Sequence, residues 1–340
     1  MKAVFSVLID GSDISTRLAP VVTSISVSDK AGMSSDTASI DVDDREGRIV
    51  LPRPGASITI MLGFTETGMG VVFRGKVDEV RSRGDRGGGR SITVSAKGVD
   101  TQGKAKEPQQ KHWDEKSLQD ILSEAGRLAG IDDVRVDQSF ASIIRKYERM
   151  DDESFLSFGE RIAAEIGGTF KISDGRAVLA KRNGGTTPGG SPLPTVSAVY
   201  GQNLHSWDIA PFLSRPRYKQ TRTRYYDREA ATWKEVLTET VIEDAEAIAS
   251  SRFTAADEDE AKQKTESQKA DAERGSGAGT VVIEGNIGAQ PEGLCVVGGT
   301  RAGIDGTYRI DGVQHAYSRG GFITTLSLKQ PQGTAGKDDR

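Results

Sequence analysis

The stretch FRGKVDEVRS at 73–82, followed after a glycine-rich turn by SITVSAK at 91–97, reads much like a second stretch near the other end of the chain, YRIDGVQHAYS at 308–318 followed by GFITTLSLK at 321–329. Each copy opens on an aromatic residue and an arginine, Phe73-Arg74 and Tyr308-Arg309. Each turns at paired glycines and returns as a run whose apolar residues alternate. A period of two marks a half-buried strand, so each copy is a β-hairpin. Self-similarity between the ends of one chain points to two copies of one β module. That hairpins resemble one another without common design is the competing reading.

Outward from the first hairpin, the first hundred residues read as β. Ile58, Ile60, Leu62 and Phe64 alternate with Thr59, Met61 and Gly63, and Pro52 to Gly55 supplies the turn before them. The period then lengthens. Leu118, Ile121, Leu122, Ala125, Leu128 and Ala129 recur at helical spacing, with Asp114 or Ser117 as the start and Gly130 as the stop. A second helix is predicted over 152–166 on Phe155, Ile162 and Ile166, with Gly167 ending it before a short hairpin. NGGTTPGGSPLP at 183–194 has linker composition. Strands resume at Val196 and run through 218–226, a polar helix is expected over 244–274, and strands return to the end.

The expected organisation is therefore a first β-barrel module over 1–104, an α+β insert over 105–185 and a linker over 186–195. A second β-barrel module with a helical insertion at 244–274 fills 196–330, and a flexible tail fills 331–340. With about 150 residues per domain as a prior, 340 residues are enough for such a division. Forty glycines and a hydrophobic fraction of 36% agree with a strand-and-turn protein.

Chemistry is mostly missing. A formal charge of -4 provides no global basic field for a polyanion. Cys295 is the sole cysteine, and His112, His205 and His315 form no CxxC or HExxH pattern, so no metal, cofactor or catalytic residue is assigned. The acid pair Asp151-Asp152 is read as a helix cap rather than a glycosidase pair. No run approaches the roughly 18 apolar residues of a membrane span. The one local case for nucleic-acid contact is Arg215, Arg217, Lys219, Arg222 and Arg224, cations interleaved with Tyr218, Tyr225 and Tyr226. Their shared parity also fits the solvated face of a strand or a subunit contact.

Taken in order, LPRPG at 51–55, VFRGKV at 72–77, SLQDIL at 117–122, DESFL at 152–156 with RIA at 161–163 and GGTF at 167–170, VIEGN at 282–286, and GTYRI at 306–310 with His315 and GGFITTL at 320–326 resemble the phage late control gene D protein family. These are the baseplate hubs of contractile tails, related to the hub part of type VI secretion spike proteins. The resemblance implies a mainly β chain with an α+β insert, whose two tube-like barrels per chain form a pseudo-sixfold ring in a homotrimer. It implies a structural, non-enzymatic protein of the virion tail baseplate, assembled in the bacterial host cytoplasm. The implied partners are the tail spike protein, the tail tube protein, the tape-measure protein and other baseplate components, with DNA met only in transit. A tailocin or another contractile injection system would use the same hub. A tail-associated cell-wall hydrolase and a nucleic-acid-binding protein are the readings from other classes. The segment 257–274 and the PGGSPLP loop are not anchored by the resemblance.

Overall fold

The computed structural model describes residues 1–31, 35–99, 103–173, 175–187, 189–213, 218–242 and 245–337. The first β region contains β1 (Ala3–Ile9), β2 (Ser12–Asp13), the single-turn α1 (Ser15–Leu18), β3 (Val22–Lys30) and β4 (Thr37–Asp43). It continues with β5 (Ser57–Phe64), β6 (Gly68–Asp85) and β7 (Gly89–Lys97). The middle unit contains β8 (Gln109–Ser117), α2 (Leu118–Leu128), β9 (Asp133–Val136) and α3 (Gln138–Ala141). It ends with β10 (Ile144–Glu153), α4 (Phe155–Ile166), β11 (Gly168–Ser173) and β12 (Arg176–Lys181). After it come β13 (Thr195–Val199), β14 (Leu204–Ala210), β15 (Gln220–Asp227), β16 (Thr232–Glu239), β17 (Ile248–Ser250) and α5 (Glu258–Arg274). The chain closes with β18 (Ala278–Glu284), β19 (Leu294–Gly298), β20 (Gly306–Ser318) and β21 (Gly321–Gln332).

Both ends of the chain enter one 13-stranded sheet, ordered β14-β18-β21-β20-β3-β4-β7-β6-β5-β1-β2, with β19 against the start of β20 and β13 against β19. Two sets of six strands within it share one pattern. The set β1-β5-β6-β7-β4-β3 and the set β13-β19-β20-β21-β18-β14 have the same neighbours in the same chain order. They differ in that β1 meets β5 antiparallel while β13 meets β19 parallel.

Their registers agree down to the irregularities. In the first set Val77 opposes Ala96, Asp78 is bulged out, and Glu79 opposes Ser95. In the second, Ile310 opposes Leu328, Asp311 is bulged out, and Gly312 opposes Ser327. A lysine on the return strand pairs with the bulged aspartate in both, Lys97 with Asp78 at 2.7 Å and Lys329 with Asp311 at 3.4 Å. A second bulge falls at Thr23, between Val22 and Ser24, and at His205, between Leu204 and Ser206. Matched bulges are designed features of a ladder, not accidents of hairpin composition. This register sets Lys76, not Arg74, in the place of Arg309, since each opposes the lysine of its return strand. The aromatic-arginine likeness read from the sequence is therefore two residues out of step.

The two sets are joined edge to edge: β3 pairs antiparallel with the outer half of β20, from Gly312↔Lys30 to Ser318↔Ser24. Each keeps its own core. Val7, Ile25, Ile40, Ile60, Leu62, Phe73 and their neighbours form one, and Val281, Ile283, Tyr308, Ile310, Leu326 and Leu328 are in the other. Phe322 of β21 crosses over to join the first core.

His315 sits at this joint, opposite Val27, with Nδ1 3.0 Å from the Thr324 hydroxyl. Burial pushes its imidazole down from the usual 6.5 to about 4. Between those values the unfolded chain binds a proton that the folded chain refuses, so stability is full above pH 6.5 and falls as pH drops towards 4. At about 1.4 kcal/mol per pKa unit, up to about 3 kcal/mol is at stake. Urea unfolding midpoints measured from pH 7 to pH 4.5 should fall, and His315→Gln should flatten that slope.

In the middle unit, α2 and α4 pack on the sheet β11-β12-β9, beside the ribbon β8-β10. Ser117, rather than Asp114, caps α2 by accepting from the Asp120 N–H at 3.1 Å, and Gly130 leaves the helix at φ +75°. Ser154 caps α4 by accepting from Ser157, so this helix starts at Phe155 and not at 152. Asp152 is not a cap; it lies at φ +49° where the register of β10 shifts. His112 and Trp113 lie in β8. Lys171 of β11 ties this unit to the first core through Asp29 at 2.8 Å and Asp36 at 2.5 Å. Burial and the neighbouring Asp29 carboxylate push Asp36 up to about 6.

Three further expectations change. The helix expected over 244–274 starts only at Glu258, where Asp257 accepts from the Glu260 N–H at 3.0 Å, and Ile248–Ser250 is a strand. Residues 243–244 lie outside the described residues. The insertion is thus a three-stranded sheet, β16-β15-β17, with α5 packed on it. The tail at 331–340 is not free as far as Lys337. Ala335 is buried, Gly336 N–H donates to the Gly303 carbonyl at 2.9 Å, and the Thr334 hydroxyl donates to the Asp305 carbonyl at 2.8 Å.

Candidate assembly surface

Of the five basic residues singled out from the sequence, Arg215 and Arg217 lie outside the described residues. Lys219 is exposed just before β15, and its backbone carbonyl accepts from the Thr240 N–H at 2.9 Å. Arg222 and Arg224 are together on β15, because every second residue shares a face. Thr221, Thr223 and Tyr225 point to α5, where the Thr221 hydroxyl donates to the Thr265 carbonyl at 2.9 Å. Gln220, Arg222, Arg224 and Tyr226 occupy the opposite face.

That face is open. Opposite Arg222, Arg224 and Tyr226 stand Leu237, Glu235 and Trp233 of β16. Trp233 is 59% exposed, and its ring meets that of Tyr226 edge-on at 5.4 Å. Glu235 takes both cations, Arg224 Nε at 2.7 Å and Arg222 at 3.7 Å. The cations therefore face a carboxylate on their own sheet, which offsets their field. β16 was missed from the sequence because nearly all its side chains are exposed, and with it the partner of these arginines.

The halving of this charge, two guanidiniums against one carboxylate, has a measurable consequence. A single-stranded oligonucleotide titrated against the chain at physiological salt should show no binding by fluorescence anisotropy, and Arg224→Ala should cost under about 1 kcal/mol of stability, as exposed pairs do.

The remaining singled-out groups do not converge. His112 is in the ribbon, His205 is the bulge residue of β14, and His315 is at the joint. Cys295 is buried, which pushes its thiol up to about 12. Among the described residues no group of three His, Cys, Asp or Glu side chains is placed to hold a metal ion, and no helix is long and apolar enough to cross a membrane.

Two strand edges are the other open feature. Beyond Val77, β6 pairs with β7 on one side, and among the described residues no ladder covers the other side of 79–85. β14 pairs with β18 on one side, and among the described residues nothing beyond the single bridge of Leu204 with Tyr200 covers the other. Its Trp207 is 38% exposed and lies against Tyr200, itself 58% exposed, with ring centroids 5.2 Å apart. An uncovered edge presents a row of backbone donors and acceptors to another strand.

Comparison with known proteins agrees with an assembly role. The family model described as phage tail baseplate hub matches residues 32–321. The probable baseplate hub protein of Escherichia phage P2 is 27% identical over 220 residues, covering 61% of this chain and 52% of its own length. Its counterpart in Escherichia phage 186 is 24% identical over 209 residues, with the same coverage. The chain thus spans about half the length of these curated relatives. Among solved structures, the tail protein from Neisseria meningitidis MC58 aligns with a TM-score of 0.72 at 16% identity over 97% of each chain. The 43 kDa tail protein of prophage MuSo2 from Shewanella oneidensis aligns at 0.72 and 15%, over 95% of this chain and 97% of its own. The E. coli c3393 protein, a type VI secretion component with structural similarity to the T4 tail proteins gp27 and gp5, aligns at 0.56 and 12%, over 98% and 79%.

Proposed function

The chain belongs to the phage tail baseplate hub family, and from that membership we propose that it is the subunit of a homotrimeric ring that adapts a sixfold tail tube to a threefold cell-puncturing spike. The observation that carries this is the pair of six-stranded sets with one strand order and matched bulges, joined in a single ladder. Read as two tube-like barrels, three such chains place six similar modules about one axis while keeping exact threefold symmetry. One face of the ring can then meet six tube subunits and the other three spike subunits.

On this reading the spike docks below the ring, the tail tube stacks above it, other baseplate components bind around it, and the tape-measure protein ends in the bore. The role is structural rather than enzymatic. After sheath contraction releases the spike, the bore serves genome ejection, with DNA in transit only. Assembly takes place in the bacterial host cytoplasm. Arg222 and Arg224, paired with Glu235 beside Trp233 and Tyr226, fit a protein contact better than a phosphate backbone. A headless tailocin or another contractile injection system would use the ring identically.

Removal of the gene from its particle tests the reading, with tails counted by electron microscopy. Complete, spike-bearing tails should be absent and should return on complementation. Complete tails formed without the chain would overturn the proposal.

A further inference from the structure

The joint inside the chain specifies a second joint that the single chain leaves open. We propose that the outer half of β6 in one copy pairs antiparallel with β14 of a neighbouring copy, in the register that β20 and β3 adopt within each chain. This rests on the trimeric reading above and names its contact.

β20 occupies in the second strand set the place that β6 occupies in the first, and β3 occupies in the first the place of β14 in the second. Within the chain, β20 residues 312–318 take β3 on the edge that β19 leaves bare. Among the described residues, β6 residues 79–85 have that same edge bare beyond β5, and β14 from Ser206 onward has bare the edge with which β3 meets β20. The two vacant edges are thus the two halves of the joint already made. Because they lie in different strand sets, the contact is head-to-tail, which generates a ring when the rotation closes.

The matched bulges give the register. Asp78 stands for Asp311 and Thr23 for His205, so the pairs Ala316↔Ser26 and Tyr317↔Ile25 become Arg83↔Asp208 and Gly84↔Trp207. The pair Ser318↔Ser24 becomes Asp85↔Ser206. Each substitution makes sense. Arg83 and Asp208 are both exposed and bring opposite charges to directly opposed positions. Trp207 replaces an isoleucine that is 0% exposed at the internal joint. The tyrosine opposite that isoleucine is replaced by Gly84, which leaves room for the larger indole and lets an aromatic ring cover a glycine. Pro211 follows directly after β14, where a ladder that needs no further N–H can end.

Backbone geometry supplies the test. The Ala31 N–H donates to the Asp311 carbonyl at 2.8 Å, which by antiparallel alternation makes Ala316↔Ser26 a non-hydrogen-bonded pair. Its counterpart Arg83↔Asp208 then has Cα atoms about 4.5 Å apart, within disulfide range. The full chain carrying Arg83→Cys and Asp208→Cys is oxidised and run on a denaturing gel without reductant, beside its mass by light scattering. Cys295 is buried and does not interfere. The expected result is a covalent trimer, with at least about tenfold more cross-link than the register-shifted pair Arg81→Cys with Asp208→Cys, and none from either single variant. A trimeric chain that cross-links through the shifted pair, or through neither, overturns the joint while leaving the trimer standing. A chain that stays monomeric and unlinked at every concentration overturns both.

Discussion

Phe322→Ala is expected to cost about 3–5 kcal/mol of stability, the range for deleting a fully buried phenylalanine. Phe322 is 3% exposed and lies on β21, yet its ring packs in the core of the first strand set, 5.6 Å from Phe64 and 5.8 Å from His315. The backbone closes in on it as well. A Cβ placed on Gly285 would stand 2.1 Å from the ring, so nothing bulkier than glycine fits there and the cavity left by alanine has little room to collapse. The substitution should also loosen the β3–β20 ladder, since the ring anchors β21 of the second set in the core of the first across that seam. Urea unfolding gives the first quantity, and hydrogen exchange of the amides at 25–28 gives the second. A loss under about 1 kcal/mol with unchanged protection would mean that the two cores are independent.

Arg274→Ala should be comparably damaging for a different reason. The last residue of α5 is almost wholly buried, and its guanidinium donates to Asp311 at 2.9 and 3.2 Å, to Glu292 at 2.7 Å and to the Asn183 side-chain carbonyl at 2.7 Å. It thereby ties together the insertion helix, the exit from the middle unit, the loop before β19 and the bulge of β20. Removing it leaves Asp311 with Lys329 alone at 3.4 Å and Glu292 with the Asn183 backbone N–H at 2.8 Å, two buried carboxylates that have lost their shared cation, which costs about 3–5 kcal/mol. Arg274→Lys should recover less than half of the loss, because a single ammonium cannot reproduce a fork spanning three acceptors. Thermal unfolding of the two variants distinguishes this from simple packing, in which case Lys, with its long stem, would restore most of the stability.

These two residues show what could be read from the sequence and what could not. Paired glycines and alternation marked the hairpins, and Ser117 with Gly130 bracketed α2, because turn and cap chemistry is local. The bulges at 78 and 311 left no local mark, yet they decide which residues are equivalent, and alignment by the aromatic-arginine starts missed them by two positions. β16 carries no alternating apolar pattern because one of its faces is open, and α5 buries Ala261, Thr265 and Ala272 rather than a leucine stripe. At the candidate surface, the shared parity of Arg222 and Arg224 was legible, but their neutralising partner was not, because Glu235 lies on the strand that went unread. The bare edges of β6 and β14 are properties of the ladder order, which only the assembled sheet displays.

The most direct test of the central claim is the mass of the purified chain in solution, measured by light scattering after size exclusion at low and at high salt. One species near three times 36.4 kDa is expected, indifferent to salt because backbone pairing and buried apolar surface hold it. A chain that remains monomeric over the accessible concentrations, or that closes on any number of copies other than three, would contradict it.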